Sequence, residues 1–181
     1  MELILETIQS RCQTYKLTPL SKDDILEYID EHYENLNLEE RQSAIAYSMG
    51  IPGKVDRFIN DEKLKQVRDL CIELFDDILS RNKKMVIKYQ EAFNNLKDEK
   101  DDLIDILLLY IRDLLVIKEL NKIERVINID KIERLELIAR KISYKKLSNM
   151  LEYIKEARIN FNSNSNYSMT ISVLLMGFAE V

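Results

Sequence analysis

Three kinds of residue in this chain carry chemistry by type: paired carboxylates, one histidine and two cysteines. The carboxylate pairs are Asp23-Asp24, Asp76-Asp77 and Asp101-Asp102. Two carboxylates that converge could hold a metal or divide acid and base roles. Adjacent residues on a helix point in different directions, so these pairs read as solvated helix faces. His32 sits in the pH range for proton transfer, but no nucleophile or carboxylate is recognisably placed beside it. It reads as a surface or helix-end histidine. Cys12 and Cys71 are far apart, and one histidine is too few to complete a zinc site with them. They read as two reduced thiols. The phosphate-cradling patterns GxxxxGK(S/T) and GxGxxG do not occur, nor do GxSxG, HExxH or CxxC. Gly50-Ile51-Pro52-Gly53 is too short to cradle a phosphate and lies between helical patterns. The expectation is a chain with no catalytic centre, metal site or cofactor of its own.

The elements that hold these residues are helical. Pro19, Gly50, Pro52 and Gly53 all fall in the first third, and beyond them the only punctuating residue is Gly177. Such a split predicts a small unit of short helices followed by a bundle of longer ones, with the boundary near Asn60-Asp61. In the small unit Ser21 suits an N-cap, with Asp23 and Asp24 in the first turn. Ile25, Leu26, Ile29 and Tyr33 then share a face. Asn37 and Glu40 have the spacing of a capping box, and Gly50 stops the helix that follows. Pro52 suits the first turn of a third helix carrying Val55, Phe58 and Ile59.

In the bundle, Val67, Leu70, Cys71, Leu74, Phe75, Ile78 and Leu79 keep an i, i+3, i+4 pattern. Leu147, Met150, Leu151, Ile154, Ala157 and Phe161 repeat it, and Ile171, Leu174, Leu175 and Phe178 form a shorter stripe. Leu103 to Ile117 is apolar nearly all round, which places it at the bundle centre or at a contact between subunits. Asp105, Arg112 and Asp113 interrupt it, and a membrane span needs about 20 mostly apolar residues, so it reads as a buried helix. Asn162 to Asn166 reads as a loop. No stretch shows strand alternation. Most of the six scattered methionines read as gap-filling core or interface residues.

Composition sets the class. At 181 residues the chain can bury a core without disulfides. Lys and Arg number 27 against 32 Asp and Glu, a net charge of −5, which argues against a bulk nucleic-acid binder. The first residues, MELILETIQSRCQ, lack the basic start and long apolar run of a signal peptide. The expected location is the cytoplasm, and Asn166-Tyr167-Ser168 reads as a chance glycosylation match.

One short segment has a closer likeness. Leu5-Glu6-Thr7-Ile8-Gln9-Ser10-Arg11-Cys12-Gln13 resembles the pattern L-x-T-I-x-S-R-C-Q that ends the ATPase base of the clamp-loader AAA+ family. Leu17-Thr18-Pro19-Leu20-Ser21 resembles the family's entry into its lid. Ala46 to Gly53 resembles the lid's glycine turn and third helix. Ile142-Ser143-Tyr144, Asn164-Ser165-Asn166 and Leu174-Leu175-Met176 resemble the ending of the delta-prime type of collar. The resemblance implies an all-α chain: residues 1–20 a remnant of the base domain, 21–60 a three-helix lid, and 61–181 a helical-bundle collar. The rest of the base domain would lie upstream.

The resemblance also implies a role for Arg11, with Ser10 and Cys12 as its motif neighbours. In this family that arginine is a finger offered in trans to ATP bound by the adjacent subunit. Without its base domain it is not expected to be held in place. In the ATP-hydrolysing subunits a sensing arginine opens the third lid helix; here Gly53 stands there, followed by Lys54, which favours the delta-prime type. The implied partners are the gamma/tau and delta subunits and, through the whole DNA polymerase III loader, the sliding clamp and primer–template DNA. Two other readings stay open: a fragment of the gamma/tau subunit, and a helical adaptor unrelated to replication.

Overall fold

The computed structural model describes residues 11–13, 15–80, 85–120, 123–163 and 165–180. Among them there are nine α-helices and no strand. The fold is all-α, as the hydrophobic periodicity predicts.

Helix α1 (Lys22–His32) starts at Ser21, whose hydroxyl accepts from the amide of Asp24 while the Asp24 carboxylate accepts from the amide of Ser21. Helix α2 (Leu38–Ser48) opens with the same reciprocal arrangement between Asn37 and Glu40. Both caps satisfy amides that a helix start leaves without partners. Helix α2 ends at Met49 and Gly50, both left-handed, with φ of 49° and 81°. Gly50 is there because of crowding as well as φ: a Cβ would sit 2.6 Å from the carbonyl oxygen of Leu20 and 2.7 Å from Cβ of Pro19. Helix α3 (Pro52–Asn60) begins on its proline.

Asp61 alone separates α3 from α4 (Glu62–Leu79), and its carboxylate caps α4 by accepting from Lys63 and Leu64. There follow α5 (Met85–Asn94), α6 (Lys100–Leu120), α7 (Ile132–Lys141), α8 (Tyr144–Asn162) and α9 (Tyr167–Glu180). The loop before α9 begins at Ser163, one residue later than the asparagine run predicts, and Asn164 lies outside the described residues. Helices α5 and α7 were not foreseen. Each is only ten residues long, under three turns, so its apolar stripe is too short to stand out beside the longer helices.

Two apolar clusters form. The smaller joins Ile25, Ile29, Ala44, Val55 and Phe58 of α1–α3. The larger runs from Leu64 to Phe178 and centres on α6, which packs against α4, α7 and α8. Helix α9 closes the bundle against α8 and α5. Its Gly177 faces the ring of Tyr153, close enough that any Cβ would collide with it. Tyr47 packs against both clusters.

Candidate functional site

Arg11 and Cys12 are exposed, and Ser10 lies outside the described residues. Residues 15 to 20 are exposed and follow no regular secondary structure. The segment is tied down where the Leu20 amide donates to the carbonyl of Gly50 at 2.8 Å. Around Gly53, at the start of α3, a Cβ would meet nothing within 4 Å. That end of α3 presents backbone and no side-chain cation from this position.

The other chemistry-bearing residues do not converge. Asp76 pairs with Arg134 of α7, while Asp77 accepts from Lys88 at 2.9 Å and from Tyr89 at 2.8 Å, both on α5. The hydrogen bonds from Lys88 and Tyr89 hold the Asp77 carboxyl below the ordinary aspartate value, against a smaller opposing effect of burial. Asp102 departs from the solvated-face reading: Arg57 grips it with two hydrogen bonds, at 2.7 and 3.2 Å. His32 is exposed, with Nδ1 2.9 Å from the carbonyl oxygen of Tyr28 and its ring stacked on the Tyr28 ring. Cys71 is fully buried, which pushes its thiol pKa up, and Cys12 is an exposed free thiol. No group of three or more His, Cys, Asp or Glu among the described residues could hold a metal ion. No described helix is long and apolar enough to cross a membrane.

What the sequence did not single out is a polar network through the molecule's middle. Asp113 of α6 is 0% exposed, yet its carboxylate accepts from the amides of Ile127 (3.0 Å) and Asn128 (2.9 Å) and from the Asn128 side chain (2.8 Å). The Asn128 side-chain oxygen accepts from Arg68 at 3.1 Å. The same guanidinium nitrogen reaches both oxygens of Asp130, at 2.8 and 3.0 Å. Asp130 in turn accepts from the Ser43 hydroxyl at 2.9 Å. Arg68 also lies 4.3 Å over the ring of Phe58. The network's hydroxyl, that of Ser43, is 0% exposed and so out of a substrate's reach. Its charges answer one another, which is what buried charges require. A cleft of about 310 Å³ beside it is lined by Phe58, Arg68, Asp69, Asp130 and Lys131 among others. Its cations are spoken for, Lys65 by Glu62, Arg68 by Asp130 and Lys131 by Asp69. Only the isolated Asp and Asn in otherwise apolar surroundings, Asp113 and Asn128, could have signalled it.

The remaining feature is a surface. On α9, Met169, Val173 and Met176 fall at i, i+4 and i+7 and are 71%, 44% and 52% exposed. These positions form an apolar stripe on the outer side of the last helix, opposite the buried Ile171, Leu174, Leu175 and Phe178. With Met49, three of the five described methionines therefore stand in solvent rather than in the core.

The sequence model of a family described as DNA polymerase III, delta subunit, C terminal, matches residues 61–180. The chain belongs to this family. The matched segment begins at the cap of α4 and takes in the whole bundle. The C-terminal domain of the clamp-loader delta family is thus the α4–α9 bundle of this chain. No curated protein matches the chain.

Proposed function

We propose that the chain is the C-terminal part of a delta-prime subunit of the DNA polymerase III clamp loader. The observation that carries this reading is the family match over residues 61–180, joined to the motif from Leu5 to Gln13. On this reading residues 1–20 are the end of an ATPase base domain, 21–60 a lid, and 61–181 a collar. The collar assembles with gamma/tau and delta subunits through helix faces such as the stripe on α9. The assembled loader, in the cytoplasm, places the sliding clamp on primer–template DNA, and ATP is bound by the neighbouring subunits. Arg11 then serves in trans. A guanidinium is permanently charged, and its planar fork can bridge phosphate oxygens as charge develops during phosphoryl transfer.

The family's description names the delta subunit, which favours a second reading, that the chain is delta itself. The Ser-Arg-Cys motif weighs the other way, because delta usually lacks it. Mixing the chain with cognate gamma/tau and delta subunits, and sizing the product by chromatography with light scattering, separates the two. A delta-prime collar completes a complex that already contains delta. A chain that displaces delta is delta. In the full-length parent, Arg11→Ala should leave assembly intact and lower DNA- and clamp-stimulated ATP hydrolysis at least tenfold, since a trans arginine is worth about 10³ or more in rate where it has been measured. Unchanged hydrolysis defeats the finger assignment.

A further inference from the structure

The chain passes from the α1–α3 unit to the bundle through Asp61 alone. A link that short leaves side chains to decide whether the two parts swing. Three ties cross the seam at different points. Ser43 of α2 donates to Asp130 and accepts from its amide, at 2.9 and 3.1 Å. Phe58 of α3 lies under the guanidinium of Arg68. Arg57 of α3 holds Asp102 at the start of α6. Tyr47 adds apolar packing to both clusters.

The bundle side of the seam is itself braced. Arg68 is 5% exposed and is fixed by Asn128 and Asp130. Asn128 is fixed by Asp113, which belongs to the central helix α6. The Tyr110 hydroxyl donates to the Arg68 carbonyl at 3.0 Å. The partner presented to Ser43 and Phe58 therefore cannot follow them if they swing. A small rotation would break the Ser43 bonds and lift the ring from its cation while Arg68 stayed behind.

We infer that this seam is a locked joint, pinned by Asp130, so that the α1–α3 unit and the bundle reorient as one body. For a loader subunit, motion imposed at the glycine turn would reach the bundle without being absorbed at Asp61. That consequence rests on the function proposed above; the lock does not, and it holds for either subunit type.

Pulsed electron–electron resonance on the full 181-residue chain tests it. Nitroxides are placed at the exposed Glu31 and Glu156 through Glu31→Cys and Glu156→Cys, in a Cys12→Ser background where the remaining Cys71 is buried. The expected result is one narrow distance peak that at least doubles in width when Ser43→Ala and Asp130→Ala are added, with helicity by circular dichroism retained. A broad or two-peaked distribution in the parent overturns the lock, and a peak that stays narrow in the doubly substituted chain overturns its pinning by Asp130. Should that chain lose helicity, Ser43→Ala alone, which removes one hydroxyl, is read by the same criterion. Assembly with loader subunits is a separate measurement, so failure of one does not mimic failure of the other.

Discussion

Asp113 holds Asn128 twice, through its backbone amide at 2.9 Å and its side-chain amide at 2.8 Å, from a position with no exposure to water. A carboxylate in the central helix of the bundle is there to shape the loop that carries Asn128 and Asp130, and through it the seat of Arg68. Its charge is answered by Arg112 at 2.7 Å. Asp113→Ala should leave the amides of Ile127 and Asn128 buried without acceptors, a loss of about 3 kcal/mol at roughly 1–3 kcal/mol for each orphaned group. For a domain of this size that lowers Tm by about 6–12 °C. Thermal unfolding by circular dichroism checks it; a shift under about 2 °C would mean that water replaces the carboxylate.

Gly177 sets how closely α9 approaches α8. Any Cβ there runs into the ring of Tyr153, which is half-buried at the helix contact. Gly177→Ala gains helix propensity of about 1 kcal/mol, but forcing a methyl into a packed contact costs typically about 1–3 kcal/mol. The net expectation is a loss. The decisive comparison is the double variant with Tyr153→Ala: with the ring gone the alanine should become neutral or stabilising, so the two effects fail to add. Additive losses would show that Tyr153 moves aside freely.

The helix caps, the stop at Gly50, the start at Pro52 and the central place of Leu103 to Ile117 were all legible, because each depends on a few neighbouring residues. Ser21 and Asp24, or Asn37 and Glu40, need only their own spacing to act. The network from Ser43 to Asp113 was not legible, since its members are separated by up to 87 positions between Ser43 and Asp130. Only the packing of α4 on α6, and of α2 against the turn at Ile129–Lys131, brings them together. Helices α5 and α7 were missed for a related reason: stripes of under three turns gain meaning only from the helices they cover. Arg11 was picked out by motif resemblance and stands exposed, with no contact among the described residues that would have revealed it by physics alone.

The pairing of Asp77 with Lys88 and Tyr89 gives stability a dependence on acid pH. Its carboxyl pKa lies below the ordinary 3.8 in the folded chain. A depressed carboxyl contributes its stabilisation in full above the unfolded value and loses it as the pH falls through the folded one. Asp77→Asn should therefore lower stability at neutral pH and make the decline below about pH 4 shallower than in the parent. The measurement is denaturant unfolding from about pH 7 down to about pH 2.5, which brackets the carboxyl range. Parallel curves for parent and variant would show that the ion pair contributes nothing to folding.

The stripe on α9 can be separated from the fold by one substitution. Val173 is 44% exposed between Met169 and Met176, while the residues that hold α9 to the bundle face the other way. Val173→Lys removes apolar area without opening a cavity, and exposed changes of this kind usually stay within about 0.5 kcal/mol of the parent. Tm should hardly move. If the stripe is a collar contact, a lysine at its centre must be desolvated on assembly or must prevent closure. Binding to the gamma/tau and delta subunits should then weaken by about tenfold or more, equivalent to roughly 1.4 kcal/mol. Titration by light scattering reads both the stoichiometry and the loss. Unaltered assembly with an unaltered Tm would move the collar contact to another face of the bundle, and the exposed Ile87 of α5 would be the next position to charge.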